Sequence, residues 1–130
     1  MENLKYCLDT HCLVWYFTGQ DSLPIKVKQI LDKIFSGEIH CFISAIVLLE
    51  TFHLSFKKKG FNFPKFLKKL RLANIMIVPL DKVVLSACYK LPENLEIHDR
   101  VIAATAKSTN SVLLTKDQVL AGFSPLKTLW

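Results

Sequence analysis

The sequence predicts an α/β fold: a central, mostly parallel twisted sheet of about four to five strands flanked by helices, in α/β/α layers. Three observations carry that expectation. Short apolar, β-branched runs alternate with longer stretches whose apolar residues recur at helical spacing. The short runs are apolar throughout, as strands are when helices cover both faces of a parallel sheet. The Gly and Pro residues (Gly19, Pro24, Gly37, Gly60, Pro64, Pro79, Pro92, Gly122 and Pro125) fall between these pieces or at their first turn.

In chain order, residues 4–8 read as a buried strand and 10–18 as a helix. Pro24 suits the first turn of a second helix over 25–35, which places Ile30, Leu31, Ile34 and Phe35 on one side. Residues 39–43 read as strand, 45–59 as a long helix and 64–72 as another, with Gly60 at the bend between them. The β-branched run 75–78 is a third strand, followed by a helix over 81–91. The Ala-rich stretch 100–108 is a further helix, 112–115 a strand, 118–121 a short helical turn and 126–129 an edge strand. No repeat, linker or low-complexity tract interrupts residues 1–130, so one domain is expected.

A chain of 130 residues with 51% hydrophobic composition can build one real core, which argues against disorder. Its apolar runs are shorter than the roughly 20 residues a membrane helix needs, and Met1-Glu2-Asn3-Leu4-Lys5 is unlike a signal peptide. A soluble, cytoplasmic protein is expected. Cys7, Cys12, Cys41 and Cys88 form no CxxC pair, and this predicts packed thiols in place of a disulfide frame or zinc site. The net charge of +6 permits an anionic partner without requiring one.

The acids are more informative. In open α/β sheets, sites form beyond the carboxyl ends of the strands. Asp9 follows the first strand directly, Asp117 follows the strand 112–115 by one residue, and Asp99 opens the helix 100–108. Glu50 lies in the second turn of the helix after Ser44, among Ile46, Val47 and Leu54, a setting that disfavours an ionised carboxylate without a partner. Singly, each Asp reads equally well as a helix N-cap, and Glu50 as a solvated edge residue. Together they fall at the site end of the sheet. Four converging acids repel one another, and a divalent cation resolves the repulsion. An all-carboxylate set favours a hard ion, Mg²⁺ or Mn²⁺, over zinc.

Four segments recur in one known order: Leu8-Asp9-Thr10-His11 with Trp15; Ile43-Ser44-Ala45 leading to Glu50; His98-Asp99-Arg100-Val101-Ile102-Ala103-Ala104-Thr105-Ala106; and Leu114-Thr115-Lys116-Asp117. With the closing Leu129-Trp130, the sequence resembles the PIN-domain family over nearly its whole length, and within it the VapC-type toxins of bacterial toxin–antitoxin pairs. The resemblance implies a Mg²⁺- or Mn²⁺-dependent endoribonuclease. Asp9, Glu50, Asp99 and Asp117 match the family's acidic quartet. By that resemblance Asp9 and Asp99 hold an ion directly, Asp117 holds it through water or assists a second ion, and Glu50 takes a proton from the attacking water. RNA is then cut to leave a 5′-phosphate. Thr10, Ser44 and Thr115 are candidates to orient carboxylates or water, with local cap bonds as the plain alternative. Arg100 either reaches a substrate phosphate or neutralises a neighbouring acid. His11 and His98 read as site-wall or loop residues. The resemblance also implies a homodimer and a VapB-type antitoxin partner lying in a groove beside the acids.

No acid occurs between Glu50 and Asp81, while Lys57, Lys58, Lys59, Lys65, Lys68, Lys69 and Arg71 lie in that span among Phe56, Phe61, Phe63 and Phe66. The hairpin reads as a surface for RNA phosphates or for an acidic antitoxin peptide, or more plainly as a solvated charged face. A haloacid-dehalogenase-like phosphatase needs an Asp where His11 stands. A receiver module needs one where Ser44 stands, and a dinucleotide or P-loop enzyme needs a glycine-rich turn that is absent. His98-Asp99 is also found in HD phosphohydrolases, but their all-helical fold conflicts with the strands here. A catalytically silent PIN-like RNA- or protein-binding module is the alternative from another class.

Overall fold

The computed structural model describes residues 4–19, 21–122 and 126–130. Pro125 and the first three residues lie outside the described set. Five strands, β1 (Tyr6–Leu8), β2 (Cys41–Ser44), β3 (Ile75–Val78), β4 (Val112–Leu114) and β5 (Thr128–Leu129), form one sheet. Their order is β3-β2-β1-β4-β5 and every pairing is parallel. The helices are α1 (Thr10–Thr18), α2 (Ile25–Phe35), α3 (Ala45–Ser55), α4 (Phe63–Leu72), α5 (Lys82–Tyr89), α6 (Ile97–Ser108) and α7 (Gln118–Ala121). None of the described helices is long and apolar enough to cross a membrane.

Parallel pairing and burial explain the unbroken apolar strands. Cys7, Leu8, Ile43, Leu113 and Leu114 are fully buried, because α6 packs on the central strands and other helices cover the sheet. Helix α6 buries Val101 through Ala106, and its three alanines let the backbone come close to the sheet. A second, smaller core joins α5 to α6 through Val84, Cys88, Val101 and Ala104. All four cysteines are free and buried, and burial pushes the Cys7 thiol up to about 12, which keeps it protonated and inert.

The strand order has a functional consequence. From β1 the chain proceeds to β2 and β3 on one side, and β4 and β5 lie on the other. The reversal falls between β1 and β4, where open α/β sheets leave a crevice at the strand carboxyl ends. The Asp9 N–H donates to the Leu114 carbonyl at 3.2 Å and closes the ends of these two strands together.

Several expected boundaries shift. Helix α3 stops at Ser55 instead of reaching residue 59, with Phe56 as its C-cap and Gly60 in the left-handed region at φ 88°. Lys57, Lys58 and Lys59 therefore sit in the connecting turn. The second strand runs from Cys41 instead of residue 39. Helix α6 begins one turn earlier than expected, at Ile97, because Glu96 is its N-cap and accepts hydrogen bonds from the His98 and Asp99 N–H groups. Asp99 thus stands inside the first turn and is not a cap.

Candidate functional site

Asp9, Glu50, Asp99 and Asp117 line one cleft of about 290 Å³, together with Thr10, His11, Ile102 and Lys116. Four segments that are distant in sequence supply them: the β1–α1 junction, helix α3, helix α6 and the β4–α7 junction. The cleft lies at the carboxyl ends of β1 and β4, where the sheet topology places a crevice.

A chain of hydrogen bonds runs through three of the four acids. Asp9 Oδ1 accepts from the Thr10 N–H at 2.6 Å, the N-cap bond of α1. Its other oxygen, Oδ2, accepts from the Thr115 hydroxyl at 2.6 Å. Thr115 Oγ1 in turn accepts from the Asp117 N–H at 3.1 Å. On the other side the Thr10 hydroxyl donates to Glu50 Oε1 at 2.8 Å. Asp117 Oδ1 caps α7 by accepting from the Val119 and Leu120 N–H groups. Thr10 and Thr115 are buried at 3% and 2% exposure, so these bonds are held by packing as well as by polarity. Asp9 and Asp117 are both caps and cleft residues: the capping bond occupies one oxygen and fixes the carboxylate's direction.

Asp99 stands outside this chain. Its carboxyl is pushed from 3.8 up to about 6, first by burial and then by the charges of Asp117, Asp9, Glu96 and Glu50. Every other member of the quartet contributes to that rise, which is an electrostatic sign of their convergence. The donor set is all oxygen and fits a hard divalent cation. Among the described residues, however, no three His, Cys, Asp or Glu side chains are drawn tightly enough together to form a ready ligand cluster.

Two expected supporting residues belong elsewhere. Ser44 caps α3 through the Ile46 N–H at 3.2 Å and is 1% exposed, so the plain capping reading applies. Arg100 neither neutralises a quartet acid nor reaches the cleft. It is the residue after Asp99, a rotation of about 100° along the helix, and its guanidinium donates to the carbonyls of Cys88, Leu91 and Pro92 at the end of α5. Two contributors escaped the sequence reading. Glu96 caps α6 and binds His98 Nδ1 at 2.7 Å. Lys116 lines the acidic cleft, although adjacency to Asp117 alone did not mark it.

The cleft shares Thr10, His11 and Glu50 with a larger groove of about 610 Å³ along α3, which is walled by Ile46, Leu49, Phe52, His53, Leu54, Phe56 and His98. Glu50 therefore has the apolar neighbours its sequence setting implied, with Thr10 as its partner. Of the basic hairpin, Lys57 and Lys59 are exposed in the turn, Lys58 is half-buried, and Lys65, Lys68, Lys69 and Arg71 are exposed on α4. The ion pair found among the described residues is Glu96–His98, so none of these seven cations has a carboxylate of a described residue within 4.0 Å. Phe61 and Phe66 are core, whereas Phe56 is 72% exposed.

The PIN domain family model matches residues 6–124. No curated protein sequence matches the chain. Among solved structures, the fold is similar to VapBC2 from Rickettsia felis bound to a DNA fragment from their promoter, at TM-score 0.72 and 20% identity over 97% of this chain and 98% of that one. It is also similar to FitAcB from Neisseria gonorrhoeae, at TM-score 0.68 and 19% identity over 96% of each chain. A toxin–antitoxin complex from Klebsiella pneumoniae gives the same TM-score of 0.68, with 19% identity over 96% of each chain. These identities support likeness of fold, and the family match goes further: the chain belongs to the PIN domain family.

Proposed function

We propose that this protein is a divalent-cation-dependent endoribonuclease of the VapC kind, the toxin half of a toxin–antitoxin pair that acts in the cytoplasm. The observation that carries the reading is the arrival of Asp9, Glu50, Asp99 and Asp117, from four separated segments, in one cleft at the carboxyl end of the sheet. Mg²⁺ or Mn²⁺ is the ion this oxygen set would take, with Asp9, Asp99, Asp117 and Glu50 as its holders. When bound, such an ion makes water acidic enough to yield a nucleophile near neutral pH and offsets charge on a phosphodiester in the transition state.

The chain's own residues do the positioning. Thr10 and Thr115 lock both oxygens of Asp9. Thr10 also turns Glu50 so that Oε1 is held, and Glu50 accepts the proton of the attacking water. Thr115 ties Asp117 to the same frame. The likeness to VapBC2 from Rickettsia felis and to a toxin–antitoxin complex from Klebsiella pneumoniae supports a VapB-type antitoxin as partner. The apolar groove along α3 opens on the acids and suits a chain segment that blocks them. The exposed apolar residues Met76, Val83 and Tyr89 on β3 and α5 give a homodimer a surface to bury.

The test is cleavage of total RNA with mapped ends. Wild type should cut with Mg²⁺ or Mn²⁺ present, leave 5′-phosphates and stop on chelation. Asp9→Asn and Asp99→Asn should each lower the rate at least about a hundredfold while keeping the fold. Full activity in either variant, or in chelator, ends the reading.

A further inference from the structure

Lys116 is the one lysine or arginine among the residues lining the acidic cleft. Four carboxylates stand around it, yet none of them is within 4.0 Å of its ammonium. Its Nζ lies instead 4.3 Å from the centre of the Trp15 ring, a cation–π seat. That ring is itself braced: Trp15 packs against Trp130 with centroids 5.8 Å apart, and His11 meets it edge-on at 5.9 Å. Trp15 and Trp130 are half-buried, whereas Lys116 is exposed. The ammonium is thus held at the mouth of the cleft with its charge unspent.

An anionic substrate entering this cleft meets four carboxylates. A single divalent ion leaves the group formally negative, so a phosphodiester needs a further cation to approach. A lysine collapsed onto Asp117 or Asp99 would cancel a carboxylate and be unavailable to substrate. The Trp15 face prevents that collapse at little cost, because it attracts the cation without offering a hydrogen-bond acceptor. We propose that Lys116, parked on Trp15 at the rim of the acidic cleft, binds a phosphate of the RNA next to the bond that is cut, and that Trp15 is the positioning residue that keeps it free to do so. This rests on the ribonuclease reading above.

The probe is a fluorescent single-stranded RNA oligonucleotide of mixed sequence. Cleavage is followed in wild type, Lys116→Met and Lys116→Arg. Binding is followed by anisotropy over a range of salt in Asp99→Asn, with and without Lys116→Met. Lys116→Met should raise KM about tenfold with kcat changed far less, and Lys116→Arg should recover most of the loss. In the binding arm, removal of Lys116 should lower the salt slope by about 0.7, the value for one contact to single-stranded RNA. Trp15→Leu should raise KM as Lys116→Met does, while Trp15→Phe, which keeps a ring face, should not. Melting temperatures of the two Lys116 variants should match wild type, because a lysine this exposed carries little of the fold. An unchanged KM and salt slope in Lys116→Met overturns the proposal. If wild type fails to cleave RNA at all, the ribonuclease reading falls, and the salt slope still decides whether Lys116 meets a phosphate.

Discussion

Asp99→Asn should stabilise the ion-free protein while abolishing its activity. The Asp99 carboxyl is raised from 3.8 to about 6, by burial first and then by Asp117, Asp9, Glu96 and Glu50. The folded state therefore binds this proton more tightly than the unfolded chain does. The stabilisation it gives is complete below about pH 4 and is lost as pH rises through about 6. A difference of about 2 pH units corresponds to a ceiling of about 3 kcal/mol. The side chain is part-exposed, and solvent screening reduces that to about 1 kcal/mol. Asn keeps the shape and drops the charge, and the Asp99 backbone bond to Glu96 survives the change. Chemical and thermal denaturation in chelator is the assay. Near pH 8 the variant should melt about 3–5 °C above wild type, and the gap should close as pH falls towards about 4. Added Mg²⁺ should narrow or reverse the gap, because only wild type retains the full ligand set. A variant less stable than wild type in chelator, or a gap that ignores pH, would refute the claim that the four carboxylates repel one another across this cleft.

Thr115→Val removes the donor to Asp9 Oδ2 and the acceptor for the Asp117 N–H, so it should cost about 1–3 kcal/mol of stability and at least tenfold in RNA cleavage, checked by urea denaturation and initial rates. Arg100→Met removes the guanidinium that ties the carbonyls of Cys88, Leu91 and Pro92 together at the end of α5 and should destabilise by about 1 kcal/mol, yet leave RNA affinity unchanged; weaker binding would return Arg100 to the site. Changing Lys57, Lys58 and Lys59 together to Gln should lower the salt slope of RNA binding by about 2 if the unpaired cations track phosphates, and leave it untouched if they are a solvated face.

The fold was legible because its strands and helices obey local rules that agree with the global arrangement. The helices 10–18 and 25–35, the strand 75–78 and the turn 118–121 were expected with the boundaries they have. Misses occurred where a side chain outranked periodicity. Glu96 reaches two amides and starts α6 a turn before its Ala-rich stretch, a bond that Pro92 and the polar residues after it gave no reason to expect. Helical periodicity carried the third helix on to residue 59. In the structure Phe56 caps it instead, and the lysines fall in the turn before Gly60.

The acids were legible for a different reason: position relative to strand ends is a topological property, and topology follows from the βα alternation. Their partners were not. Thr10 lies beside Asp9, and its bond to Asp9 Oδ1 is the one a cap rule finds, but the same residue's hydroxyl reaches Glu50, forty positions on. Thr115 reaches Asp9 across 106 positions because β1 and β4 are neighbours in the sheet, with Leu8 in register with Leu114. Ser44, equally well placed by sequence after β2, spends its hydroxyl on the Ile46 amide and takes no part. Register does not separate these hydroxyls, because β2 and β4 both flank β1 and both pairings, extended, set Ser44 and Thr115 level with Asp9. What separates them is the bond each makes, Thr115 donating to Asp9 Oδ2 and Ser44 accepting from the first turn of α3. A carboxylate at a strand end announces itself to anyone counting residues. The hydroxyl that aims it is found only once the strand order is known, and in this molecule the aim of Asp9, and through it of Glu50 and Asp117, depends on those two threonines.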